Sequence, residues 1–409
     1  MMVETCKSPL KRSPTLKVER GPSAEVYARV GESFHSRYRI EKLLGKGGFG
    51  QVFQAKDTMT NRVVALKVEP IDRQNRIAME AIVLRAVFRR AHFAQMYEHN
   101  MNGAFSYLTM PVLGDNLFDL RRLEENRRFD QETMLEVFES LVTALQTLHG
   151  AGFIHRDIKP ANFCFGKRPG DRNHVYLIDF GMARQYLQRD GKRKKKRLRC
   201  PFRGTARYCS ARVHKACEQG PCDDMYSLLY SMIELCEGDL PWRGDEPEPE
   251  LCSMKSEPRS GMDRFLRYTP RNLLCIAHYL DSKGFEDDLD YEYIQKIIAE
   301  SFEYLDQNAS IETLTASFEK AEIKGSDYPN SPTPQPNTSS RFSYNPYEPH
   351  LMQKSSPTTK FFQRSNPIKR TQLFPEGSNG NRCTLTSFQP LSPSPYSGNR
   401  QSVWLNERV

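Results

Sequence analysis

Six side chains in this sequence have the types and spacing that moving a phosphoryl group requires. The run Ile154-His155-Arg156-Asp157-Ile158-Lys159-Pro160-Ala161-Asn162 is followed by Leu177-Ile178-Asp179-Phe180-Gly181. Phosphoryl transfer asks a protein for positioning and charge neutralisation rather than covalent chemistry. In that chemistry Asp157 accepts the proton of a substrate hydroxyl, and Lys159 stabilises the group in flight. Asn162 and Asp179 hold magnesium against the phosphates. Any one of these residues alone reads as an ordinary loop residue; their joint spacing points to a site.

Two further stretches supply the phosphate-binding side. Gly45-Lys46-Gly47-Gly48-Phe49-Gly50-Gln51-Val52 is a glycine-rich run whose backbone N–H groups can approach phosphate oxygens closely. A dinucleotide site would need a helix directly after it. A strand follows here, which leaves a phosphate-covering loop or a plain hairpin turn. Val64-Ala65-Leu66-Lys67 ends in a lysine that either snorkels to solvent or reaches the phosphates. The second case needs a carboxylate partner, and Glu80 in the helical stretch Arg76–Val87 is the candidate.

The elements that must position these groups are strands first and helices later. Tyr38–Leu44, Gln51–Lys56 and Val63–Val68 are short, β-rich and separated by turn residues. Met134, Phe138, Leu141, Val142, Leu145 and Leu148 recur at helical spacing up to Gly150. A helix apolar nearly all round, and therefore buried, is expected after Asp224, with Leu228, Leu229, Met232, Ile233 and Cys236. The plan is α+β and two-lobed, a small β-rich lobe over about 36–113 and a larger helical one over about 114–320.

The chain resembles eukaryotic protein kinases of the casein kinase 1 group, nearest to their tau-tubulin kinase branch. The resemblance rests on GKGGFGQVFQAKD (45–57), VALKVE (64–69), GFIHRDIKPANFCFGK (152–167), LIDFGMARQY (177–186), FRGTARYCS (202–210) and DDMYSLLYSMIELCEGDLPWR (223–243). Ser210-Ala211-Arg212 replaces the usual Ala-Pro-Glu, which is a mark of the group. The resemblance implies ATP and Mg2+ as cofactors, with Met110 as gatekeeper and Pro111, Val112 and Leu113 as the adenine-binding hinge. It puts Val52 and Ala65 above the adenine and Cys164 below it, and has Asp224 anchor the catalytic loop. Lys159 implies serine/threonine rather than tyrosine specificity.

Between Met182 and Gly204 there is no serine or threonine, and Tyr186 is the only hydroxyl. A switch by phosphothreonine in this segment is therefore excluded, and a kinase active as made is expected. The segment is strongly basic, with Lys194, Lys195, Lys196, Arg197, Arg199 and Arg203. One reading is a solvated charge run or a nuclear-import signal. The other is recognition of acidic or phosphate-primed protein substrates, helped by Arg156 and Arg207, which match anion-site positions of the resembled group. The acidic stretch Asp245-Glu246-Pro247-Glu248-Pro249-Glu250 departs from that group. It would either repel a phosphopeptide or fold onto the basic segment as a clamp.

Composition bounds the rest. Of 26 prolines, twelve fall between Pro329 and Pro395, so residues 321–409 read as a disordered Pro/Ser-rich tail, and 1–35 as a disordered extension. The formal charge of +9 divides into +5 from residue 325 onward, +2 over 1–35 and +2 in the kinase region. That near balance speaks for local substrate selection and against nucleic acid as the main partner. No apolar run is long enough for a membrane span, and MMVETCKSPLKR lacks the apolar core of a signal peptide. Ten cysteines without a CxxC pair read as reduced thiols of a cytoplasmic or nuclear protein. The expected form is a monomer acting on protein substrates, cytoskeletal ones by resemblance. The rival reading is a catalytically idle scaffold that binds acidic partners or nucleic acid through the basic segment.

Overall fold

The computed structural model describes residues 27–47, 50–71, 75–124, 126–256, 264–305 and 307. Gly48 and Phe49 of the glycine run, the chain before residue 27, residues 308–320 and the Pro/Ser-rich tail lie outside the described residues.

The first part is a six-stranded antiparallel sheet in the order β1-β2-β3-β4-β6-β5. Its strands are β1 (Ser33–Phe34), β2 (Tyr38–Lys46), β3 (Gln51–Asp57), β4 (Val63–Pro70), β5 (Glu98–Asn102) and β6 (Phe105–Pro111). Alternation along β4 decides what faces the cleft. Val64, Leu66 and Val68 enter an apolar cluster with Ile40, Phe53, Ala55 and Tyr107. Ala65, Lys67 and Glu69 therefore share the opposite face. Helix α1 (Arg76–Ala86) buries Ile77, Ala81, Val83 and Leu84, and with them Glu80, a residue type that is rarely buried without a partner.

The second part is helical. α2 (Leu117–Leu123) follows the sheet, and α3 (Gln131–Gly150) is capped by Asp130, whose side chain accepts from Thr133 N–H at 2.8 Å. The expected apolar positions of α3 are all buried. Helix α5 (Pro221–Glu237) begins ahead of Asp224 rather than after it. Its start is set by Pro221 at the first turn and by the Asp223 carboxylate, which accepts from Gly220 N–H at 2.8 Å. Residues 222–236 of α5 are buried all round. Shorter helices, α4 (Ala211–His214), α6 (Glu248–Ser256) and α7 (Leu274–Asp281), and a helical stretch over 291–305 complete this part. The architecture is the α+β, two-lobed plan that the pattern of elements predicts.

Two small antiparallel pairs frame the loop that carries the acidic groups. β7 (Phe153–Ile154) pairs with β10 (Arg184–Gln185), and β8 (Phe163–Phe165) pairs with β9 (Val175–Leu177). Residues 155–162 thus run between two fixed strands, and Asp179 comes two residues after a third. Among the described residues no helix is long and apolar enough to cross a membrane.

Candidate active site

The lysine of β4 does not snorkel to solvent. Lys67 Nζ donates to Glu80 Oε2 at 2.6 Å and to Asp179 Oδ1 at 2.8 Å, and Glu69 Oε1 lies 4.0 Å away. Burial disfavours the Lys67 charge, but Asp179, Glu80 and Glu69 outweigh it and hold the ammonium above the ordinary lysine range. Lys67 in turn holds Asp179 down at about 2. The sheet, α1 and the segment after β9 therefore meet in one cluster around the Lys67 ammonium.

The catalytic loop hangs from α5. Asp224 Oδ2 accepts from His155 N–H at 2.6 Å and Oδ1 from Arg156 N–H at 2.8 Å. Oδ2 also meets His149 Nε2 at 3.0 Å. These bonds hold Arg156 at φ 68°, a left-handed conformation that costs a non-glycine residue energy and marks functional loops. The ring of His155 is oriented as well. Its Nδ1 accepts from Asp157 N–H at 3.2 Å, which leaves the proton on Nε2 to donate to Ile178 O at 3.1 Å. Phe180 packs against the rings of Phe93 and His155, with ring centroids 5.8 and 5.2 Å away. This keeps the segment after Asp179 inward and Asp179 turned to the cleft.

Asp157 has both carboxylate oxygens engaged. Oδ2 accepts from Lys159 Nζ at 2.8 Å and Oδ1 from Thr205 Oγ1 at 2.7 Å, while Lys159 also donates to Thr205 Oγ1 at 3.2 Å. The Thr205 hydroxyl stands where a hydroxyl must stand to give its proton to Asp157. Gly204, at φ 115°, brings Thr205 there: a Cβ on it would fall 2.6 Å from Arg156 O. Thr205 carries no local signal of this role, because it sits 48 residues from Asp157.

The residues expected around the nucleotide stand on the six-stranded sheet, on the stretch leaving it and on β8. Val52 of β3 is opposite Lys67, and Ala65 is opposite Met110 in the β4–β6 register. Pro111, Val112 and Leu113 leave the sheet half-buried, and Cys164 sits buried on β8. Burial pushes the Cys164 thiol up to about 12, so it offers a neutral surface. Gly45 and Lys46 end β2, and Gly47 just after it donates its N–H to Gly50 O at 3.0 Å. Gly50 has no room for a side chain, since a Cβ would meet Glu69 Cγ at 2.5 Å and Val68 O at 2.6 Å.

The donor set fits magnesium held jointly with phosphates. Asn162 donates its Nδ2 to Asp157 O at 2.8 Å, which leaves its side-chain oxygen as the acceptor, and the Asp179 carboxylate keeps 45% of its side-chain surface open. Two hard oxygen donors match a Mg2+ that keeps water and phosphate ligands. No cluster of three or more His, Cys, Asp or Glu suited to a metal occurs among the described residues.

The basic residues divide into two sets. Arg207 donates to Glu234 and Asp239 and to the carbonyls of Trp242 and Arg243. Arg197 is held by Glu218, Lys194 by Gln185 at 3.4 Å, and Arg156 donates to Met182 O at 2.7 Å. Lys195, Lys196 and Arg199 are exposed and make no ion pair among the described residues, and Arg203 makes none either. The acidic stretch follows neither expectation in full. Glu246 turns back to accept from Arg243 and Gly244 N–H, both at 2.6 Å, and Glu248 approaches His214 Nδ1 at 3.7 Å.

A sheet-borne lysine clasped by a helix glutamate, facing an aspartate on a strained loop and a second aspartate open to the cleft, defines an ATP-dependent phosphotransferase. Residues 38–271 match the protein kinase domain. The chain is 31% identical over 274 residues to a probable serine/threonine-protein kinase of Dictyostelium discoideum, across 67% of this chain and 55% of that protein. It thus spans about half the length of this relative. It is 37% identical over 235 residues to a putative casein kinase I of Caenorhabditis elegans, across 56% of this chain and 69% of that one. A putative serine/threonine-protein kinase of the same worm is 33% identical over 288 residues, across 68% and 81%. The chain belongs to the protein kinase family and is a protein-serine/threonine kinase.

Proposed function

We propose that this kinase transfers the γ-phosphoryl group of ATP to serine or threonine of acidic or phosphate-bearing proteins, without needing phosphorylation of its own activation segment. We place it nearest to the tau-tubulin branch of the casein kinase 1 group, on the motifs quoted above. The observation that carries the reading is the assembled cluster of Lys67, Glu80 and Asp179 facing Asp157.

Each residue has a derivable task. Lys67, fixed by Glu80, places a permanent positive charge beside the phosphates, and Asp179 and Asn162 are the residues that would hold Mg2+. When bound, that ion supplies neutralisation of phosphate charge. A substrate hydroxyl comes up to Asp157 beside the Thr205 hydroxyl and gives up its proton there as its oxygen attacks the γ-phosphorus, the bond to the β-phosphate breaks and ADP leaves. Lys159, bonded to both Asp157 and Thr205, stabilises the oxygens of the transferred group.

Supporting the substrate preference, Lys195, Lys196, Arg199 and Arg203 are the cations left over for an incoming anion. A cavity of about 500 Å³ opens beside Arg199, walled by Pro201, Phe202 and Ala216, with Glu248 on its rim. It lies on the stretch of chain that leads into Gly204 and Thr205. The idle-scaffold reading is separated by one comparison. Phosphatase-treated full-length chain and its Asp179→Ala variant are given labelled ATP and a peptide library with and without priming phosphates. Transfer by wild type alone supports catalysis, and equal counts in both exclude it.

A further inference from the structure

The segment 182–204 poses an electrostatic problem. Arg156, Arg184, Arg197 and Arg203 crowd together, and burial followed by repulsion from the other three brings Arg156 down to about 10. Kinases commonly meet such a cluster with a phosphate added to the segment. Here that route is closed. The segment has no serine or threonine, and the hydroxyl of Tyr186, its only one, is buried and donates to His149 O at 2.9 Å.

An anion is nonetheless present. Glu218, which follows the segment in sequence, has a fully buried side chain. Its carboxylate accepts from Arg197 Nε at 2.5 Å, Arg197 Nη2 at 2.8 Å and Arg197 N–H at 3.2 Å, with Arg184 Nε at 3.5 Å. This is the two-pronged guanidinium–carboxylate pairing that is strongest among protein ion pairs. Its neighbours fasten the same two strands of chain together. Cys200 N–H donates to Ala216 O at 2.9 Å, and Gln219 Nε2 donates to Arg203 O at 3.0 Å. Arg203 is followed by Gly204 and then Thr205, whose hydroxyl bonds to Asp157.

We propose that Glu218 is a built-in counter-anion, doing permanently what a phosphate on the activation segment does reversibly in other kinases. It is a positioning residue: through Arg197, Arg184 and the 216–219 tether it holds the segment so that Thr205 and the substrate path meet Asp157. Removing the charge while keeping the shape should loosen that alignment without removing any group that touches ATP. This inference rests on the proposed kinase activity, and the two fail differently. Inactive phosphatase-treated wild type would remove the kinase reading. Active wild type with an equally active Glu218→Gln variant would remove only the role of Glu218.

The test compares wild type, Glu218→Gln, Glu218→Asp, Glu218→Ala and Arg197→Met in steady-state phosphorylation of one serine peptide, with thermal midpoints measured alongside. Glu218→Gln should lose kcat by about tenfold or more while KM for ATP stays within about twofold. Glu218→Asp should retain most activity, and Glu218→Gln combined with Arg197→Met should lose no more than either alone. Formate or acetate should restore activity to Glu218→Ala by entering the vacated site. Wild-type kcat in Glu218→Gln overturns the proposal, as does full additivity with Arg197→Met. Should Glu218→Ala not fold, these two results decide the matter without it. If it folds and neither anion raises its activity, the charge itself is not what the segment needs, and the proposal falls.

Discussion

Glu80 on α1 and Lys67 on β4 are joined by a 2.6 Å hydrogen bond across the small lobe, and the same ammonium reaches Asp179 at 2.8 Å. A helix, a sheet and the loop after β9 are thereby placed in the geometry that phosphoryl transfer requires. Replacing Lys67 by Met should lower kcat by about a hundredfold or more, the scale for loss of one preorganised charge. Steady-state kinetics should show this loss with the fold intact by circular dichroism. Activity within about threefold of wild type would mean that Lys67 does not serve the phosphates.

Thr205 should act through its hydroxyl alone. Thr205→Ser is expected to keep near wild-type turnover, and Thr205→Val to lose about tenfold, the scale of a hydrogen bond to a charged group. KM for ATP should be unchanged in both, since the Thr205 hydroxyl bonds to Asp157 and Lys159. A Val variant as active as wild type would remove Thr205 from the site.

The unusual Ser210-Ala211-Arg212 has a structural task. Ser210 Oγ donates to Asp223 Oδ1 at 2.6 Å in a buried setting, and Arg212 Nε lies 3.4 Å from the same oxygen. Ser210→Ala should cost about 1–3 kcal/mol, because a buried carboxylate loses a donor. Urea unfolding measures this, and an unchanged midpoint would contradict the assignment.

Acid should weaken the fold through a histidine pair. His92 and His174 stack with centroids 4.4 Å apart, and His174 Nε2 accepts from His92 N–H at 3.0 Å. His92 Nδ1 donates to Val175 O at 2.9 Å, while Asp171 attracts His174 more weakly than burial opposes its charge. Both rings are held below the ordinary histidine range, chiefly by burial. The folded state therefore binds fewer protons than the unfolded one. Stability from this pair is fully present above about pH 6.5 and declines as pH falls below it. Thermal midpoints from pH 7.5 to 5.5 should drop less in His174→Gln than in wild type; identical slopes would refute the link.

Substrate choice should follow the unpaired cations. Glutamate at positions 195, 196 and 199 together should cut kcat/KM on phosphate-primed peptides by about tenfold or more while sparing unprimed ones, each lost contact to a phosphate being worth about 1 kcal/mol or above. Arg197 is left in place because Glu218 already holds it. An equal fall on both peptide classes would sink the primed-substrate reading.

Much of the site was legible because its signals are local. Asp157, Lys159 and Asn162 stand in one short run, Asp179 follows a strand, Lys67 ends an apolar strand stretch, and Glu80 lies in the helical stretch that comes next. What could not be read was the long-range pairing of charge. Nothing near Arg207 in sequence shows that Glu234 and Asp239 consume it, and nothing near Arg197 points to Glu218. A run of Lys and Arg looks uniform as a sequence, whereas the fold spends some of its members internally and leaves Lys195, Lys196 and Arg199 at the surface. The acidic stretch was opaque for the same reason, since Glu246 binds backbone within its own turn.

The most direct measurement is transfer of the γ-phosphoryl group from ATP to a serine peptide by phosphatase-treated full-length chain, run beside Asp157→Asn. Transfer by wild type, lost in Asp157→Asn with the fold and nucleotide binding retained, is the expected result. No transfer by the treated wild type on any serine or threonine peptide, or equal transfer by both proteins, would contradict an autonomous kinase built around Asp157.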